Sequence, residues 1–258
     1  MEPVAEVRAP GRRGRVGQRA RYGIDGGFAG LAVFAAIEAG LAGTVAWAVR
    51  HRRPAIAVLA GVGGAAVTGS AANYLYCTGP GKRAIWAQLL DELGLRGDED
   101  VLDVGCGRGA VLMLAARRLP AGRAVGADIW RRRDQSGNGR AAAERNAVAE
   151  GVAGRVDLVD ADARDLPFAS ASFDVVVSSL AISNIRDADG RARALREAAR
   201  VLRPGGRLRI VDDGAGRYAA VLRDAGCTGV AVRQLGWQTW YGLPGHHMTL
   251  VTAGKAPG

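Results

Sequence analysis

Two long apolar segments precede a region in which short apolar runs alternate with polar ones. The first segment, residues 27–49, carries a single charge at Glu38, and the second, residues 54–79, carries none. About 20 apolar residues are enough for a helix to cross the hydrocarbon core of a bilayer. Because a short basic link, residues 50–53, joins the two segments, the pattern predicts an N-terminal transmembrane helical hairpin. Within it, Glu38 is expected to face the other helix or an interface, with a functional intramembrane acid as the alternative.

Basic residues on both sides of the hairpin indicate its orientation. Six arginines lie within residues 1–22, and Lys82 and Arg83 follow the second segment. Because cytoplasmic flanks are enriched in such residues, the tail and the rest of the chain are expected on the cytoplasmic side of a bacterial cell membrane. The link carries three arginines, which this orientation places outside, so a re-entrant or interfacial hairpin is an alternative. Two buried helices of a soluble domain, or a cleaved signal peptide, are further alternatives.

From Lys82 onwards the pattern is that of an α/β domain. Short apolar runs typical of buried strands alternate with segments whose apolar residues recur at helical spacing. This alternation predicts a parallel sheet with helices on both faces. The chain is thus divided into a flexible basic tail (1–22), the hairpin (23–79) and an α/β domain (80–258). The predicted strands are 101–104, 123–129, 155–160, 173–179, 207–213, 229–235 and 247–254, and the predicted helices are 84–95, 110–119, 140–150, 191–202 and 217–225.

The first strand is followed by a turn with almost no side-chain bulk. Gly105, Gly107 and Gly109 separate the strand from an apolar helix, and the small side chain of Cys106 lies within the turn. Backbone N–H groups at such a helix N-terminus can approach a ligand closely. The next strand reaches Asp128, and an acid at this position can accept hydrogen bonds from both hydroxyls of a ribose. The pattern therefore predicts a site for a nucleoside-containing cofactor.

Asp103 distinguishes between two kinds of nucleoside cofactor. The glycine spacing alone also fits an NAD-type dinucleotide. An acid two residues before the first glycine adds negative charge where a pyrophosphate would lie, whereas it suits the ammonium or sulfonium of S-adenosylmethionine. Here the sequence resembles the class I S-adenosylmethionine-dependent methyltransferases. Three later segments resemble that family in the same order: residues 159–168, 172–185 and 200–213.

The resemblance implies a fold, a cofactor and a set of site residues. The fold is a Rossmann-like seven-stranded sheet, mostly parallel, with an antiparallel edge strand where the last two strands form a hairpin. The cofactor is S-adenosylmethionine and the product S-adenosylhomocysteine. Asp162 matches the acid that binds the adenine amino group, with a solvated loop acid as the alternative, and Ser178 and Ser179 end the strand that passes the methionine part. The expected cofactor-binding residues are Asp103, Gly105, Cys106, Gly107, Gly109, Asp128, Ile129, Asp162, Ala163, Ser178 and Ser179.

Residues 130–140, WRRRDQSGNGR, resemble a loop of a bacterial methyltransferase subgroup that also carries an N-terminal hydrophobic hairpin. One interpretation is a lid over the cofactor, and the other is a Ser/Asn cap on the following helix. Ser183 stands where a histidine is expected in that subgroup, so the resemblance does not carry over a shared substrate. Asn184 remains as a candidate contact for the acceptor.

The distribution of charge and the spacing of the cysteines indicate which classes of binding partner are not expected. The chain of 258 residues has a formal net charge of +10, of which residues 1–83 carry +7 and residues 84–258 carry +3. A nearly balanced C-terminal part argues against a broad nucleic-acid surface. Cys77, Cys106 and Cys227 have no close pair and no metal-ligand spacing, and the three histidines form no set with them. We therefore expect neither a metal nor nucleic acid.

Methyl transfer from a sulfonium needs mainly alignment and a dry pocket, because the leaving group is already activated. No catalytic residue is assigned for this reason. The expected function is methyl transfer from S-adenosylmethionine to a small or lipophilic acceptor at the cytoplasmic face of the membrane. The alternatives are a cofactor-binding membrane protein without transfer activity and an NAD-dependent oxidoreductase.

Overall fold

An apolar helical hairpin and a layered α/β unit make up the protein, for which a computed structural model describes residues 19–241 and 248–257. The hairpin consists of α1 (Ala29–Arg50) and α2 (Pro54–Tyr76). The helices of the α/β unit are α3 (Lys82–Asp91), α4 (Ala110–Arg117), α5 (Arg140–Ala149), α6 (Ala188–Val201) and α7 (Tyr218–Asp224). Its strands are β1 (Asp100–Val104), β2 (Arg123–Asp128), β3 (Val156–Asp160), β4 (Phe173–Ser179), β5 (Leu202–Asp213), β6 (Cys227–Gln234) and β7 (Met248–Lys255).

The strands form one seven-stranded sheet in the order β3-β2-β1-β4-β5-β7-β6. Strands β1 to β5 pair in parallel, whereas β7 is antiparallel to both β5 and β6. The last two strands form the antiparallel hairpin at the edge of the sheet that the resemblance implies. The resemblance also implies that the antiparallel strand lies at the edge, whereas in the structure β7 lies one position inside it. β7 lies one position inside the edge because its residues are mostly buried, while β6 is mostly exposed and suits the edge.

Side chains of the central strands alternate between two cores, one on each face of the sheet. Val175 and Val177 belong to a core that includes Leu112 of α4, and the intervening Val176 belongs to the opposite core with Leu195 of α6. Residues of α3, α4 and α5 cover the first face, and residues of α6 and α7 cover the second. This is the three-layer arrangement that the alternation of strands and helices predicts.

The hairpin leaves most of its apolar surface uncovered by the rest of the described chain. Both helices are long and apolar enough to cross a membrane, yet in the most apolar stretch of each only 6% of the residues are buried. The two helices contact each other through the rings of Phe34 and Tyr74, whose centroids are 5.8 Å apart, and through Glu38, whose Oε1 accepts a hydrogen bond of 2.5 Å from Thr68 Oγ1. Large apolar side chains on the uncovered surface include Phe28, Val33, Trp47, Val49, Val58, Leu59 and Val62.

The hairpin joins the α/β unit through a continuous helix. A π-helical turn at Cys77–Gly81, which contains Pro80, connects α2 directly to α3, so that one helix runs over Pro54–Asp91. Proline has no N–H to donate within a helix, and a π turn is a common way to accommodate such an interruption. The boundary that the sequence places between residues 79 and 80 therefore lies inside a helix and not in a linker.

Of the flexible tail expected for residues 1–22, residues 1–18 lie outside the described residues. Residues 19–27, called the N-terminal strap below, lie against the α/β unit. The backbone of Arg21 exchanges two hydrogen bonds of 2.9 Å with the side-chain amide of Asn146 in α5. Tyr22 donates a hydrogen bond of 2.6 Å to Glu150, and the guanidinium of Arg83 lies 4.5 Å from the centre of the Tyr22 ring.

Gly126 of β2 provides a test of the packing beneath the glycine turn. A Cβ at this position would lie 2.6 Å from Leu112 Cδ2 and 2.7 Å from Cys106 Sγ. We expect Gly126→Ala to lower the free energy of unfolding by about 1–3 kcal/mol, as overpacking of a core does. The matched control is Gly154→Ala, because no atom lies within 4 Å of the added methyl group. Thermal unfolding in detergent would contradict this packing if the two variants melted at the same temperature.

Candidate active site

A tight glycine turn brings the start of α4 to the carboxyl end of β1. Gly105 has a φ of +74°, in the left-handed region that glycine adopts readily, and a Cβ there would lie 2.1 Å from Cβ of Ala181. Its N–H donates a hydrogen bond of 2.7 Å to the carbonyl oxygen of Ala127 in β2. The turn is thus held close to β2 and to the segment that follows β4, with no side chain between them.

A cavity of about 440 Å³ opens beside this turn. It lies at the carboxyl ends of β1, β2 and β4, where the order of the sheet reverses between β1 and β4. Open α/β sheets bind their ligands at such switch points. Nine of the residues expected from the sequence line the cavity: Asp103, Gly105, Cys106, Gly107, Asp128, Ile129, Asp162, Ala163 and Ser179.

Two expected residues, Gly109 and Ser178, are not part of the cavity lining. Gly109 has a φ of +83° and caps the N-terminus of α4. Ser178 is buried between strands, where its Oγ donates a hydrogen bond of 2.9 Å to the carbonyl oxygen of Val104. The neighbouring Ser179 does reach the cavity, and its Oγ accepts a hydrogen bond of 2.9 Å from Trp86 Nε1. Because side chains alternate along a strand, only one of the two serines can face the site.

Asp103 is a buried carboxylate whose oxygens accept no hydrogen bond from any described residue. Its exposed fraction is 1%. Burial raises the pKa of Asp103 to about 7, while the positive charge of Lys82 opposes this shift and the negative charge of Asp128 adds to it. A buried carboxylate without a partner costs free energy, and a cation in the cavity would relieve that cost. The site therefore fits the positively charged part of S-adenosylmethionine.

Asp128, at the end of β2, ties the glycine turn to residues 130–139, called the 130–139 loop below. One carboxylate oxygen accepts a hydrogen bond of 2.8 Å from Gly107 N, and the other accepts one of 2.5 Å from Trp130 N and one of 3.5 Å from Asn138 Nδ2. Burial raises the pKa of Asp128, and these three hydrogen bonds act in the opposite direction. Each oxygen has two lone pairs, so one acceptor site is free for a ribose hydroxyl group, and displacement of the long 3.5 Å contact from Asn138 would free a second.

Asp162 lies in the cavity wall but is paired within its own turn. Its carboxylate accepts a hydrogen bond of 2.6 Å from Arg164 Nη2 and one of 2.9 Å from the Arg164 backbone N–H. These hydrogen bonds lower the pKa of Asp162. The carboxylate is therefore ionised at neutral pH and remains an acceptor for an amino group.

The 130–139 loop lines the cavity through Arg131, Asp134, Gln135 and Asn138. Gln135 Oε1 accepts a hydrogen bond of 2.9 Å from the backbone N–H of Arg108, which places the loop against the glycine turn. The alternative interpretation as a helix cap is wrong, because α5 begins after Gly139 without a side-chain cap. The loop therefore forms a wall of the cavity next to the glycine turn.

The N-terminal strap contributes Asp25 and Gly26 to the cavity wall, which sequence reasoning missed. The carboxylate of Asp25 accepts hydrogen bonds from Lys82 Nζ at 3.0 and 3.1 Å, from Gln135 Nε2 at 3.2 Å and from Tyr241 OH at 3.0 Å. Burial, and next the negative charge of Asp25, raise the pKa of Tyr241 well above its usual range, so the phenol stays a donor. Asp25 therefore links the strap, α3, the 130–139 loop and a segment near the C-terminus across the cavity.

The remainder of the wall is largely apolar. Tyr74, from the last turn of α2, lies in it together with Leu180, Ile185 and Met248. The loop after β4 also contributes Ser183 and Asn184. Ser183 donates its backbone N–H to the fully buried Asp212 at 2.8 Å, and Asn184 Nδ2 donates to the carbonyl oxygen of Leu180 at 2.9 Å. The cavity lining thus combines charged residues suited to a polar cofactor with apolar residues suited to an apolar group.

Within residues 19–241 and 248–257, no three histidine, cysteine, aspartate or glutamate side chains are grouped so that they could hold a metal ion. His246 and His247 lie outside the described residues.

Comparison with known protein families and sequences places this site in a known class. Residues 102–210 match the family model described as a methyltransferase domain. The ubiquinone/menaquinone biosynthesis C-methyltransferase UbiE of Hahella chejuensis is 36% identical over 135 residues, which are 51% of this chain and 50% of that protein. Methyltransferase GfsG of Streptomyces halstedii is 38% identical over 125 residues, 48% of this chain and 41% of that protein. The chain thus spans about half the length of the curated relatives it matches.

Solved structures share the fold at low sequence identity. The [4+2]-cyclase SpnF superposes with a TM-score of 0.56 and 22% identity, covering 67% of this chain and 82% of that chain. Geranyl diphosphate C-methyltransferase of Streptomyces coelicolor A3(2), solved with S-adenosyl-L-homocysteine, superposes with a TM-score of 0.53 and 17% identity, covering 67% of this chain and 79% of that chain.

The chain contains a class I S-adenosylmethionine-dependent methyltransferase domain. S-adenosylmethionine is the cofactor of this domain. The unpartnered carboxylate of Asp103 favours the same cofactor over a nicotinamide dinucleotide, whose pyrophosphate would add negative charge beside it.

The raised pKa of Asp103 gives opposite pH dependences for folding and for cofactor binding. The ordinary pKa of an aspartate is about 3.9, so the carboxylate, with its pKa of about 7 in the folded chain, ionises late. Stability without ligand should fall as the pH rises from about 4 to about 7, because the unfolded chain loses its proton first. As the pH rises over the same range, more of the Asp103 carboxyl group is ionised before the cofactor binds. The dissociation constant for S-adenosylmethionine should therefore fall by about tenfold for each pH unit gained below about pH 7.

Calorimetric titrations and thermal unfolding between about pH 5 and pH 8 would measure both effects. The control is Asp103→Asn, which should show a weaker pH dependence of both quantities than the wild type, should unfold at a higher temperature than the wild type at the upper end of the range, and should bind the cofactor weakly. Equal slopes for the two proteins would show that another group is responsible.

Proposed function

We propose that the protein transfers a methyl group from S-adenosylmethionine to a lipophilic acceptor at the cytoplasmic face of a membrane, releasing S-adenosylhomocysteine. The observation that carries this proposal is the shape of the cavity. It extends from Asp103 and Asp128 to Gly26 and Tyr74, at the end of the hairpin where α1 begins and α2 ends. An acceptor associated with the hairpin and a cofactor at the glycine turn would therefore meet in one cavity.

The proposed roles of the cofactor residues follow from their positions. Asp103 balances the positive charge of the cofactor, Asp128 accepts the ribose hydroxyl groups, and Asp162 accepts the adenine amino group. Gly105 and Gly107 bring the main chain close to the ligand, and Cys106, Ile129, Ala163 and Ser179 complete the wall. Gly109 and Ser178 support the site from outside the lining.

When bound, S-adenosylmethionine supplies a methyl group on a positively charged sulfur. The residues of the chain orient it and exclude water, because the N-terminal strap and the 130–139 loop lie over the cavity and hydrogen-bond to each other. The backbone carbonyl oxygen of Asp134 in the loop accepts a hydrogen bond of 2.8 Å from Gly26 N. The backbone carbonyl oxygen of Ile24 in the strap accepts one of 2.9 Å from Ser136 N. Proximity and exclusion of water are the main requirements of this transfer.

A lipophilic acceptor is supported by the names of the relatives and by the apolar residues of the cavity lining. The relative from Hahella chejuensis is named for ubiquinone and menaquinone biosynthesis, and quinones of that kind dissolve in membranes. Tyr74, Leu180, Ile185 and Met248 offer an apolar surface next to the cofactor residues. The proposal is therefore a membrane-dissolved acceptor class, of which a quinone precursor is one example.

The hairpin is proposed to lie in the membrane, with residues 80–258 on the cytoplasmic side and residues 1–22 as a basic tail on the same side. The uncovered apolar surface of α1 and α2 and the basic residues that flank them support this orientation. The cofactor is also made in the cytoplasm.

A cofactor-binding protein without methyl transfer is the second candidate function. The same fold occurs in a protein named as a [4+2]-cyclase, so the fold alone does not establish the reaction. Formation of S-adenosylhomocysteine distinguishes the two candidates.

The proposed reaction can be tested with full-length protein purified in detergent. Wild-type protein should bind S-adenosylmethionine in a calorimetric titration and form S-adenosylhomocysteine when a bacterial lipid extract is added. Asp128→Ala removes the acceptor for two ribose hydroxyl groups and the anchor of Gly107 N. Loss of charge-assisted hydrogen bonds of this kind should weaken cofactor binding by about 100-fold or more.

The matched control is Asp157→Ala in β3, whose side chain is 45% exposed and forms an ion pair with Arg123. It should bind the cofactor as the wild type does. Binding without any S-adenosylhomocysteine, whatever lipid extract is supplied, would support the non-catalytic candidate. Absence of binding by the wild type would contradict the proposed function altogether.

The membrane location is tested by carbonate extraction of cells that express the full chain. We expect the wild type to remain in the membrane pellet. Leu59→Arg combined with Val62→Arg places two charges on uncovered hairpin positions, which are 72% and 64% exposed, at about 2.5–3.5 kcal/mol each in a bilayer. This variant should move to the soluble fraction.

Val148→Arg combined with Val232→Arg changes uncovered valines of the α/β unit, 52% and 45% exposed, and should stay with the membrane. Recovery of the wild type in the soluble fraction without detergent would contradict the membrane location.

A further inference from the structure

Two groups of side chains lie at the end of the hairpin that adjoins the α/β unit and have no role in the reaction proposed above. The start of α1 and the end of α2 meet at this end, since Tyr74 OH donates a hydrogen bond of 2.6 Å to the carbonyl oxygen of Asp25. We call this end the hairpin base. Phe28 and Leu75, which lie at the hairpin base, are 68% and 46% exposed, so the uncovered apolar surface of the hairpin continues to it.

The first group is the indole of Trp237. It is 66% exposed, yet it is held in place, because its ring stacks on Tyr76 at the end of α2 with centroids 5.7 Å apart and an interplanar angle of 18°. The segment that carries it is also bound to α2 and the following turn, where Asn73 Nδ2 and Cys77 Sγ both donate to the carbonyl oxygen of Trp240. The α/β unit thus presents a fixed, exposed tryptophan beside the last turn of an apolar helix. Tryptophan with one apolar and one polar side is enriched at the level of lipid headgroups.

The second group consists of Arg132 and Arg133, which are exposed in the 130–139 loop. The loop lies next to the residues that lead into α1, because Gly26 N donates to the carbonyl oxygen of Asp134 at 2.8 Å and a Cβ on Gly27 would lie 3.5 Å from the carbonyl oxygen of Arg133. Arg133 also forms an exposed ion pair with the neighbouring Asp134 at 3.5 Å, which offsets part of its charge. Exposed cations near a membrane surface are attracted to anionic lipids and act within about one Debye length.

We propose that the hairpin base is a second membrane contact, in which Trp237 enters the headgroup region beside α2 while Arg132 and Arg133 face anionic lipid headgroups beside the start of α1. This contact seats the α/β unit directly on the bilayer surface and places the strap side of the cavity against it. The proposal rests on the proposed function in one respect, namely that the hairpin is in the membrane.

Nitroxide labels on single introduced cysteines measure the position of the hairpin base. Full-length Leu59→Cys, Trp237→Cys and Arg196→Cys proteins are labelled and reconstituted into phosphatidylcholine vesicles with or without phosphatidylglycerol. Position 59 reports on the hairpin and position 196, exposed on α6, serves as the aqueous reference. The native cysteines at 77, 106 and 227 are buried, and unsubstituted protein treated with the label gives their background. Relaxation by oxygen, which is enriched in the bilayer, is compared with relaxation by a water-soluble nickel complex.

The label at position 237 should show several-fold lower accessibility to nickel than the label at 196, and higher accessibility than the label at 59. Phosphatidylglycerol should lower the nickel accessibility at 237 further. Arg132→Gln combined with Arg133→Gln should abolish this lipid effect, whereas the matched pair Arg193→Gln and Arg196→Gln on α6 should leave it intact.

Each alternative result would overturn a specific part of the proposed membrane contact. A label at 237 as accessible to nickel as the label at 196, with the label at 59 in the bilayer, overturns the second contact and leaves the membrane hairpin standing. A water-accessible label at 59 overturns both. A lipid effect that is absent, or that survives the loss of both arginines, overturns the anionic part of the contact.

Discussion

The carboxylate of Asp25 holds together parts of the molecule that are far apart in sequence. Burying a charge is unfavourable unless it is paired and hydrogen-bonded, and Asp25 meets both conditions through Lys82, Gln135 and Tyr241. Because Asp25 lies shortly before α1, the contact that closes the cavity also fixes the base of the hairpin. Removal of any one partner would leave charge or polar atoms uncompensated in a buried place. Through Asp25 the strap, the 130–139 loop, the start of α3 and the end of α2 therefore form one connected structural unit.

The carboxylates of the partly buried Asp25 and the buried Asp103 differ in their hydrogen-bond partners. Asp25 has its donors in place, whereas Asp103 accepts no hydrogen bond from the described chain. Lys82 lies close enough to act on both, since it pairs with Asp25 and opposes the rise in the pKa of Asp103. The strap side of the cavity is therefore electrostatically balanced, whereas the carboxylate of Asp103 beside the glycine turn is not. A cationic ligand next to Asp103 would supply the missing positive charge.

The parts of the site that follow local patterns could be predicted from the sequence. Alternating apolar strands, the glycines and the acids at the strand ends depend on neighbours within a few residues, so the sequence predicts Asp103, Gly105 and Asp128 as site residues, and all three line the cavity. The pattern SS does not show which serine faces the cavity, because a strand turns successive side chains to opposite sides; in the structure Ser179 lines the cavity and Ser178 does not. The inner position of β7 was not predicted, because its burial depends on pairing with β6, and strand pairing is not visible in the local pattern.

Asp25, Lys82 and Tyr241 could not be found in the same way. The partners of Asp25 lie 57, 110 and 216 residues away along the chain, and no local periodicity encodes such contacts. The one available signal was an isolated acid in a basic N-terminal region, which is equally typical of a turn. Composition also hid the helix boundary, since Pro80 and its neighbouring glycines resemble a linker although the structure continues through them as a π turn.

The continuous helix from Pro54 to Asp91 makes the orientation of the cavity a matter of helical phase. An α-helix turns by about 100° per residue and rises about 1.5 Å. Adding or deleting one residue between the hairpin and α3 would rotate the whole α/β unit about the helix axis by more than a quarter turn while changing its height very little. The number of residues between the hairpin and α3 thus determines the direction in which the cavity faces relative to the hairpin. A flexible tether of the same length would not determine this direction.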